Sequence, residues 1–408
     1  MIGSWVREYA VQMEFATPDL GIESLLAVDA ADAITFDGDS AIGITGDGTT
    51  ASSGRFKLLL TNKPDLIAST AIQEIETATG QADNAEEDII PTISQPNTFA
   101  PEINAHTYNI SLFLATLLQS GYTEADAGAV RTGTCIAYKT PNIMRYLSFV
   151  EVLQKLAANA TPATPDKSDN SIMRVSMPSS VKFSASEGGI LKVSADLKGA
   201  GWETGFSLPA AYNTSGVSVK VSPLKWQDAK VILQDAYVTA ADAESGIADI
   251  DATNKQVSMN GLDLTIENNL THKYYNSSSI VSFVLGKLKS SGTMVIPWTV
   301  ANQYGDESQY YWQQIKDFQA GITKRLIVYW NSSTGTGFTF SGANAVTDDA
   351  PGGFLIDMFI KYSSGALDSA EVLGSNMGFT CVVPTGGTSS IRILCTYAAT
   401  GTNATRRV

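Results

Sequence analysis

The sequence predicts a mainly β protein: two tandem β-barrels or sandwiches, each with one flanking α-helix. Three observations lead there. Apolar and polar residues alternate with period two through much of the chain, the spacing of half-buried strands. Only two stretches carry a clear helical pattern. One pattern also occurs twice: SVKFSASEGGILKVSADLKGAG at 180–201 and GFTCVVPTGGTSSIRILCTYAATG at 378–401 both read strand, Gly-Gly turn, strand, small residues. The turns, Gly188-Gly189 and Gly386-Gly387, lie 198 residues apart in a chain of 408.

Taken in order, Val6–Phe15 alternates imperfectly and Arg55–Leu60 forms a short β-like run after Ser53-Gly54. Asn109–Gln119 is the first helix, with Gly121 as its terminating glycine. Cys135–Tyr138 and Tyr146–Val152 are strands, with 147–158 running from strand into a helical turn. Val181–Ser186 and Ile190–Leu197 form a hairpin about the first Gly-Gly pair. Gly261–Asn268, Ile280–Gly286 and Gly292–Val300 are strands rich in β-branched residues. The second helix is Glu307–Ala320, with Asp306 as N-cap, Gly321 after its end, and Tyr311, Ile315 and Phe318 on its apolar face. Lys324–Trp330, Phe354–Tyr362 and the strands of the second Gly-Gly hairpin complete the chain.

Set side by side, the halves repeat an order: strand, strand, helix, strand, strand, hairpin. The strands before the helices carry Glu14 in one copy and Glu267 in the other, and the following strands open with Ser53-Gly54 and Ser291-Gly292. The expected domains are therefore 1–205 and 206–408, joined through a loose segment at 202–224 with Pro209, Asn213 and Gly216. The first copy holds excess chain near 64–103. Its Glu74, Glu76, Asp83, Glu86, Glu87 and Asp88, followed by prolines, predict an inserted acidic surface loop.

Composition narrows the function. The formal net charge is −14, and no basic block exists beyond Lys324-Arg325 and Arg406-Arg407, so a phosphate-gripping surface is not expected. The acidity serves solubility, or more sharply a surface that repels DNA. Three cysteines, Cys135, Cys381 and Cys395, have no metal or disulfide-framework spacing, although Cys381 and Cys395 flank the second turn and could face each other across it. No signal peptide is visible, and apolar runs such as Ile280–Leu285 fall far short of a membrane span. The expectation is a soluble protein made in a cytoplasm.

A search for chemistry ends without a constellation. His106 and His272 lie in different copies and lack neighbours at metal spacing. Nucleophile-elbow, phosphate-loop and HExxH motifs are absent. Gly43–Gly48 reads as a turn without the lysine a phosphate loop needs. Asp37 and Asp39 lack the rest of a calcium loop. Glu86, Glu87 and Asp88 are adjacent, where a glycosidase needs facing carboxyls. Trp202, Trp298, Trp312 and Trp330 are read as packing residues, with a sugar platform as the other use. No catalytic, cofactor-binding or metal-binding residue is expected, and no cofactor.

The stretch VSMNGLDLTIENNLTHKYYNSSSIVSFVLGKLKSSGTMVI at 257–296, the helix after it and the closing strands resemble a bacteriophage tail tube protein, the major tail protein. The first-half stretch about Gly188-Gly189 resembles the same family, in a tandem two-barrel version. The resemblance implies a structural virion protein, not an enzyme. Subunits would form rings that stack into a hollow tube, with a continuous inner sheet removing exposed strand edges. Two barrels per chain would favour a trimer with pseudo-sixfold symmetry, and one barrel a hexamer. Expected partners are the chain itself, other phage tail proteins, and DNA passing transiently and non-specifically through the lumen during ejection, with no membrane insertion. Assembly would occur in the host cytoplasm. The alternatives are another β-rich virion component, such as a baseplate, capsid-decoration or adhesin protein, and a carbohydrate-active protein.

Overall fold

The structure is a computed structural model. It describes residues 4–16, 22, 26, 52–58, 60–62, 67–74, 89–105, 107–127, 130–135, 144–156, 170–205, 223–237, 239, 241, 246–277, 279–297, 311–332, 337–342, 345–347, 352–368 and 374–398. The chain begins with β1 (Ser4–Ala16), β2 (Ser52–Leu58), β3 (Ile67–Glu74), β4 (Ile89–Phe99) and β5 (Glu102–Asn104), which precede helix α1 (Thr107–Leu118). There follow β6 (Tyr122–Ala127), β7 (Val130–Cys135), β8 (Met144–Leu156), β9 (Asn170–Ser186) and β10 (Lys192–Thr204). The second half holds β11 (Lys230–Asp235), β12 (Gly261–Glu267), β13 (Thr271–Lys273), β14 (Ser282–Val284) and β15 (Lys289–Pro297). Helix α2 (Tyr311–Ala320) leads to β16 (Lys324–Trp330), β17 (Thr339–Ser341), β18 (Ala345–Thr347), β19 (Phe354–Asp368), β20 (Gly374–Cys381) and β21 (Ile391–Ala398). The protein is mainly β, as the alternation predicts.

Seventeen of these strands share one antiparallel hydrogen-bonded network, with β13–β14 and β17–β18 as separate ribbons. The network runs across both halves. The first part of β9 pairs with β8 and its later part with β12, while β10 follows its other edge. From β12 the ladder continues through β15, β20, β19 and β16 to β11. The stretch at 255–257 bonds to the free side of β11 before the chain enters β12, which curls this part of the sheet toward closure.

The sheet encloses an apolar core shared by the two halves. β12 shows the underlying pattern: Leu262, Leu264 and Ile266 point inward and alternate with half-exposed Asp263, Thr265 and Glu267. β16 departs from it, because all seven residues are buried. Leu326, Val328 and Trp330 enter the shared core, while Ile327 and Tyr329 lie under Phe338 and Phe340 on the other face. Phe183 of the first half stacks on Phe354 of the second at 6.1 Å, and Phe354 stacks on Trp330 at 5.6 Å. The indole N–H groups of Trp226 and Trp330 donate to the carbonyls of Met259 and Lys225, so neither ring buries an unmet donor.

Helix α1 lies inside this assembly. Every residue from Ile110 to Gln119 is buried, including Ser111 and Thr116. A helix without a polar face needs cover on all sides, and α1 finds it against β6, β7, β8 and β9 of the first half and β21 of the second. Its end differs from the expectation. Gln119, not Gly121, takes the left-handed conformation, with φ of 51°. The Gln119 side chain holds this strained position: Nε2 donates to the carbonyls of Thr116 and Arg145 at 2.6 and 2.8 Å, and Oε1 accepts from the Arg145 N–H at 2.7 Å.

Other expectations change with the fold. The region near 64–103 is not a loop where described: β3, β4 and β5 build it, and Phe99 and Ile103 enter the core. Pro91 and Pro96 of β4 fall at the register shifts between β3 and β4, the irregular places in a ladder where proline is tolerated. The acidic run at 83–88 lies outside the described residues. Strand β11, built on the apolar run Val231-Ile232-Leu233, adds to the strands expected from the sequence. The two Gly-Gly turns share a local geometry: Gly188 and Gly386 have φ of 69° and 77°, and the next glycine donates to the carbonyl three residues back. Their settings differ. The first joins the paired strands β9 and β10. The second joins β20 and β21, which lie end to end along one edge of β19 and pair with it instead. Cys381 therefore sits opposite Ile360 and Cys395 opposite Phe354, six positions apart on β19, too far for the two sulfurs to meet.

Truncating the buried Phe113 to alanine is expected to lower stability by about 3–5 kcal/mol. Because α1 packs on strands of both halves, urea denaturation followed by fluorescence and far-UV dichroism should show one shared transition moving to lower denaturant. Two separate transitions, with only one displaced, would count against the shared core.

Candidate assembly and channel surfaces

The alternation that fills the core leaves a broad solvated face on the reverse of the same strands. One row of cross-strand neighbours runs Ser194, Lys182, Thr265, Ser291, Thr380, Lys361, from β10 through β9, β12, β15 and β20 to β19. At ~4.8 Å per strand the row is about 24 Å wide. Adjacent rows add Ser184, Asp263 and Thr293, and then Asp196, Ser180, Glu267 and Lys289. The face is rich in hydroxyls and mixes both signs of charge.

Two of its lysines form cross-strand ion pairs. Lys182 Nζ lies 3.6 Å from Asp263 Oδ1. Lys192 Nζ lies 2.9 Å from Glu102 Oε1, which also accepts from the Thr61 hydroxyl at 2.7 Å. Glu267 sits directly opposite Lys289. The Thr61 hydrogen bond, followed by Lys192, holds the Glu102 carboxyl below its ordinary range. A lowered folded value means that Glu102 contributes stability above its unfolded pKa, and that this contribution is lost as pH falls through the folded value.

A second set of charges is buried and bonded. Arg325 grips Asp357 in a two-point pair, Nε to Oδ1 at 2.9 Å and Nη2 to Oδ2 at 2.8 Å, and stands over the Phe359 ring. Arg392 reaches the same Oδ2 at 2.8 Å. On the opposite face of β16, Lys324 Nζ contacts Asp317 of α2 and Asp235 of β11, each at 2.5 Å. The basic pair nearest to a phosphate site in the sequence is thus split between two faces and neutralised on each. Tyr362 is buried beside this second cluster. Burial first, and then Asp317 and Asp235, push its hydroxyl pKa upward.

Helix α2 differs from the reading of its apolar face. Its buried residues are Gln314 and Asp317, whereas Phe318 is exposed and Ile315 half-buried. Gln314 Oε1 accepts from the Ser375 hydroxyl at 2.5 Å. The polar residues turn inward because the strands beneath offer Lys324 and Ser375, partners that the helix sequence cannot reveal. The Tyr311 side chain, the expected N-cap Asp306 and the earlier residues 307–310 lie outside the described parts. The C-terminus behaves as expected: Gly321 has φ of 65°, its N–H donates to Phe318, and the Ile322 N–H donates to Asp317.

The remaining candidates are dispersed. His272 is on β13, its ring 5.2 Å from Tyr274, and burial, then Lys198 and Lys273, lower its pKa. Trp330 is in the core and Trp202 packs against it, so neither offers an exposed sugar platform. Burial pushes the Cys381 thiol up to about 12 and raises that of Cys395 as well. No cluster of three or more metal-ligating side chains occurs among the described residues. No helix among them is long and apolar enough to cross a membrane. His106, Trp298, Asp37, Asp39, 43–48, 86–88 and Arg406-Arg407 lie outside the described residues, as does the Trp312 side chain.

Compared with known families, the chain matches the one described as phage tail tube protein over residues 11–311, well over half its length. The chain belongs to the phage tail tube protein family. It is therefore a structural protein of the virion tail, in a family whose members assemble with themselves and with other tail proteins. The match enters in β1 and ends at the first residue of α2, taking in most of the solvated face of this tail tube chain and the part of the shared core that precedes β16. No curated protein matches the chain.

Replacing Asp357 with alanine should cost the tail tube chain about 3–5 kcal/mol, because Arg325 would be left buried without its counter-charge. Chemical denaturation of the variant is the measurement. Adding Arg325→Met to it should recover part of the loss.

Proposed function

We propose that this chain forms rings that stack into the phage tail tube, the conduit through which DNA leaves the virion for the host cell. Family membership supports the assembly. One structural observation carries the proposal further: β9 pairs with β12 over seven residues, so the sheet of one half continues into that of the other. In a ring, the same kind of joint between chains would close the sheet and remove its open edges.

Each chain supplies two tail-tube-like units, 1–205 and 206–408, and a trimer supplies six positions with pseudo-sixfold symmetry. One helix and one Gly-Gly turn of matching geometry in each half support the two-unit reading. The tube is assembled in the host cytoplasm, and the chain acts by shape rather than by catalysis. Conduction is passive, with a wall that lets DNA slide.

Negative-stain microscopy of the purified protein is expected to show hollow tubes or stacked rings, and native mass spectrometry a ring of three chains. A ring of six chains would overturn the trimer. Monomers that never stack at high concentration would overturn the tube.

A further inference from the structure

Lys324 is buried between two carboxylates that reach it from different elements. Its Nζ lies 2.5 Å from Asp317 Oδ2 on α2 and 2.5 Å from Asp235 Oδ1 on β11. The lysine side chain is 6% exposed, that of Asp317 2% and that of Asp235 53%. The lysine pairs of the solvated face, Lys182 with Asp263 and Lys192 with Glu102, are open to water by comparison. Gln313 holds the other oxygen of Asp317, Nε2 donating to Oδ1 at 2.8 Å. Tyr362 is buried beside the group.

Such a group can do more than pair charges. An amine becomes a nucleophile once it loses its proton, and a carboxyl carbon can accept it. One C–O bond beyond Oδ2, the Asp317 carboxyl carbon stands at about the 3–3.5 Å separation of a near-attack arrangement. Burial adds a driving force, because condensation replaces two buried charges with a neutral amide. Burial also keeps out the water that would reverse the reaction.

We propose that Lys324 and Asp317 condense into an isopeptide bond, a covalent link between β16 and α2. Asp235 takes a proton from the ammonium. The freed Nζ attacks Cγ of Asp317, and Gln313 steadies the negative charge that gathers on Oδ1. Asp235 passes protons from the nitrogen to Oδ2, which leaves as water while the new N–C bond remains. The ammonium and the carboxylate together supply every atom of the amide and the water. Asp235 ends as it began, and no other reactant is needed. The exposures assign the roles. Asp317, sealed in, is the acceptor. Asp235, half in solvent, carries protons and lines the way out for water. The link is independent of the conduit reading, which neither requires it nor fails with it.

The test is intact-mass spectrometry of the full-length protein, followed from cell-free synthesis, with peptide mapping after proteolysis. Wild type should become lighter than its sequence by one water. Its digest should hold a branched peptide that joins Asp317 to Lys324. Lys324→Arg keeps the charge but lacks the amine, and should stay at full mass. Asp235→Asn should lose water about a hundredfold more slowly, a usual worth for a positioned proton carrier. Far-UV dichroism confirms that the variants are folded. Wild type still at full mass after long incubation would overturn the proposal. So would a loss of water on a peptide that lacks either residue, the mark of a cyclic imide at a single aspartate. A branch from Lys324 to Asp235, or equal rates for wild type and Asp235→Asn, would overturn the roles given to the two carboxylates.

Discussion

The rest of the structure depends on enclosing α1. From Ile110 to Gln119 the helix has no exposed side, so it cannot lie on the surface of a half-chain. Each buried large apolar side chain is worth about 1.5–3 kcal/mol relative to exposure, and α1 carries several in adjacent turns. That stabilisation exists only if strands from both halves close around the helix. The cross-half pairing of β9 with β12 and the packing of β21 against α1 follow from this need. The helix end is tied in the same way. Gln119 is anchored to Arg145 on β8, and the Asn268 side chain of the second half donates to the carbonyls of Pro178 and Leu117.

The two helices are seated by different forces. α1 is held by apolar packing that tolerates almost any direction of approach. α2 is held by specific polar contacts, Asp317 with Lys324 and Gln314 with Ser375, while Phe318 remains exposed. Buried ion pairs gain little net stability, because desolvation offsets most of the attraction, but losing one partner is costly. They therefore fix where α2 sits more than how strongly. The Arg325–Asp357–Arg392 cluster does the same across β16, β19 and β21. The strand residues that could be mistaken for a phosphate site thus orient the sheet.

Much of this was legible in the residues. Period two located β1 and β12, because half-buried strands need it, and runs rich in β-branched and aromatic residues located β16 and the start of β19, which are buried on both faces. The positive-φ glycines at 188, 321 and 386 were readable because turns and helix ends at those places demand them. The family resemblance at 257–296 fell inside the region that the family match covers. Other features were hidden for definable reasons. β4 was masked by prolines, which usually end a strand but here sit at bulges. Gln119 carries no local signal of its left-handed backbone, because two of the side-chain bonds that hold it are to Arg145, 26 residues away. The inward face of α2 is not written in its own periodicity, because its burial depends on Lys324 and Ser375.

The sequence by itself determined the mainly β class, most strand positions, the absence of a recognisable catalytic motif and the kinship with tail tubes. These are written in local alternation, turn chemistry and composition, which act over a few residues. Only the tertiary structure decided that the two halves share one core, that β20 and β21 lie along β19 rather than against each other, and that lysines and carboxylates far apart in the chain stand paired on one face. Those outcomes depend on strand register. A shift of one residue would exchange the buried and exposed sides of every strand, and register is set by packing between elements that are distant in sequence.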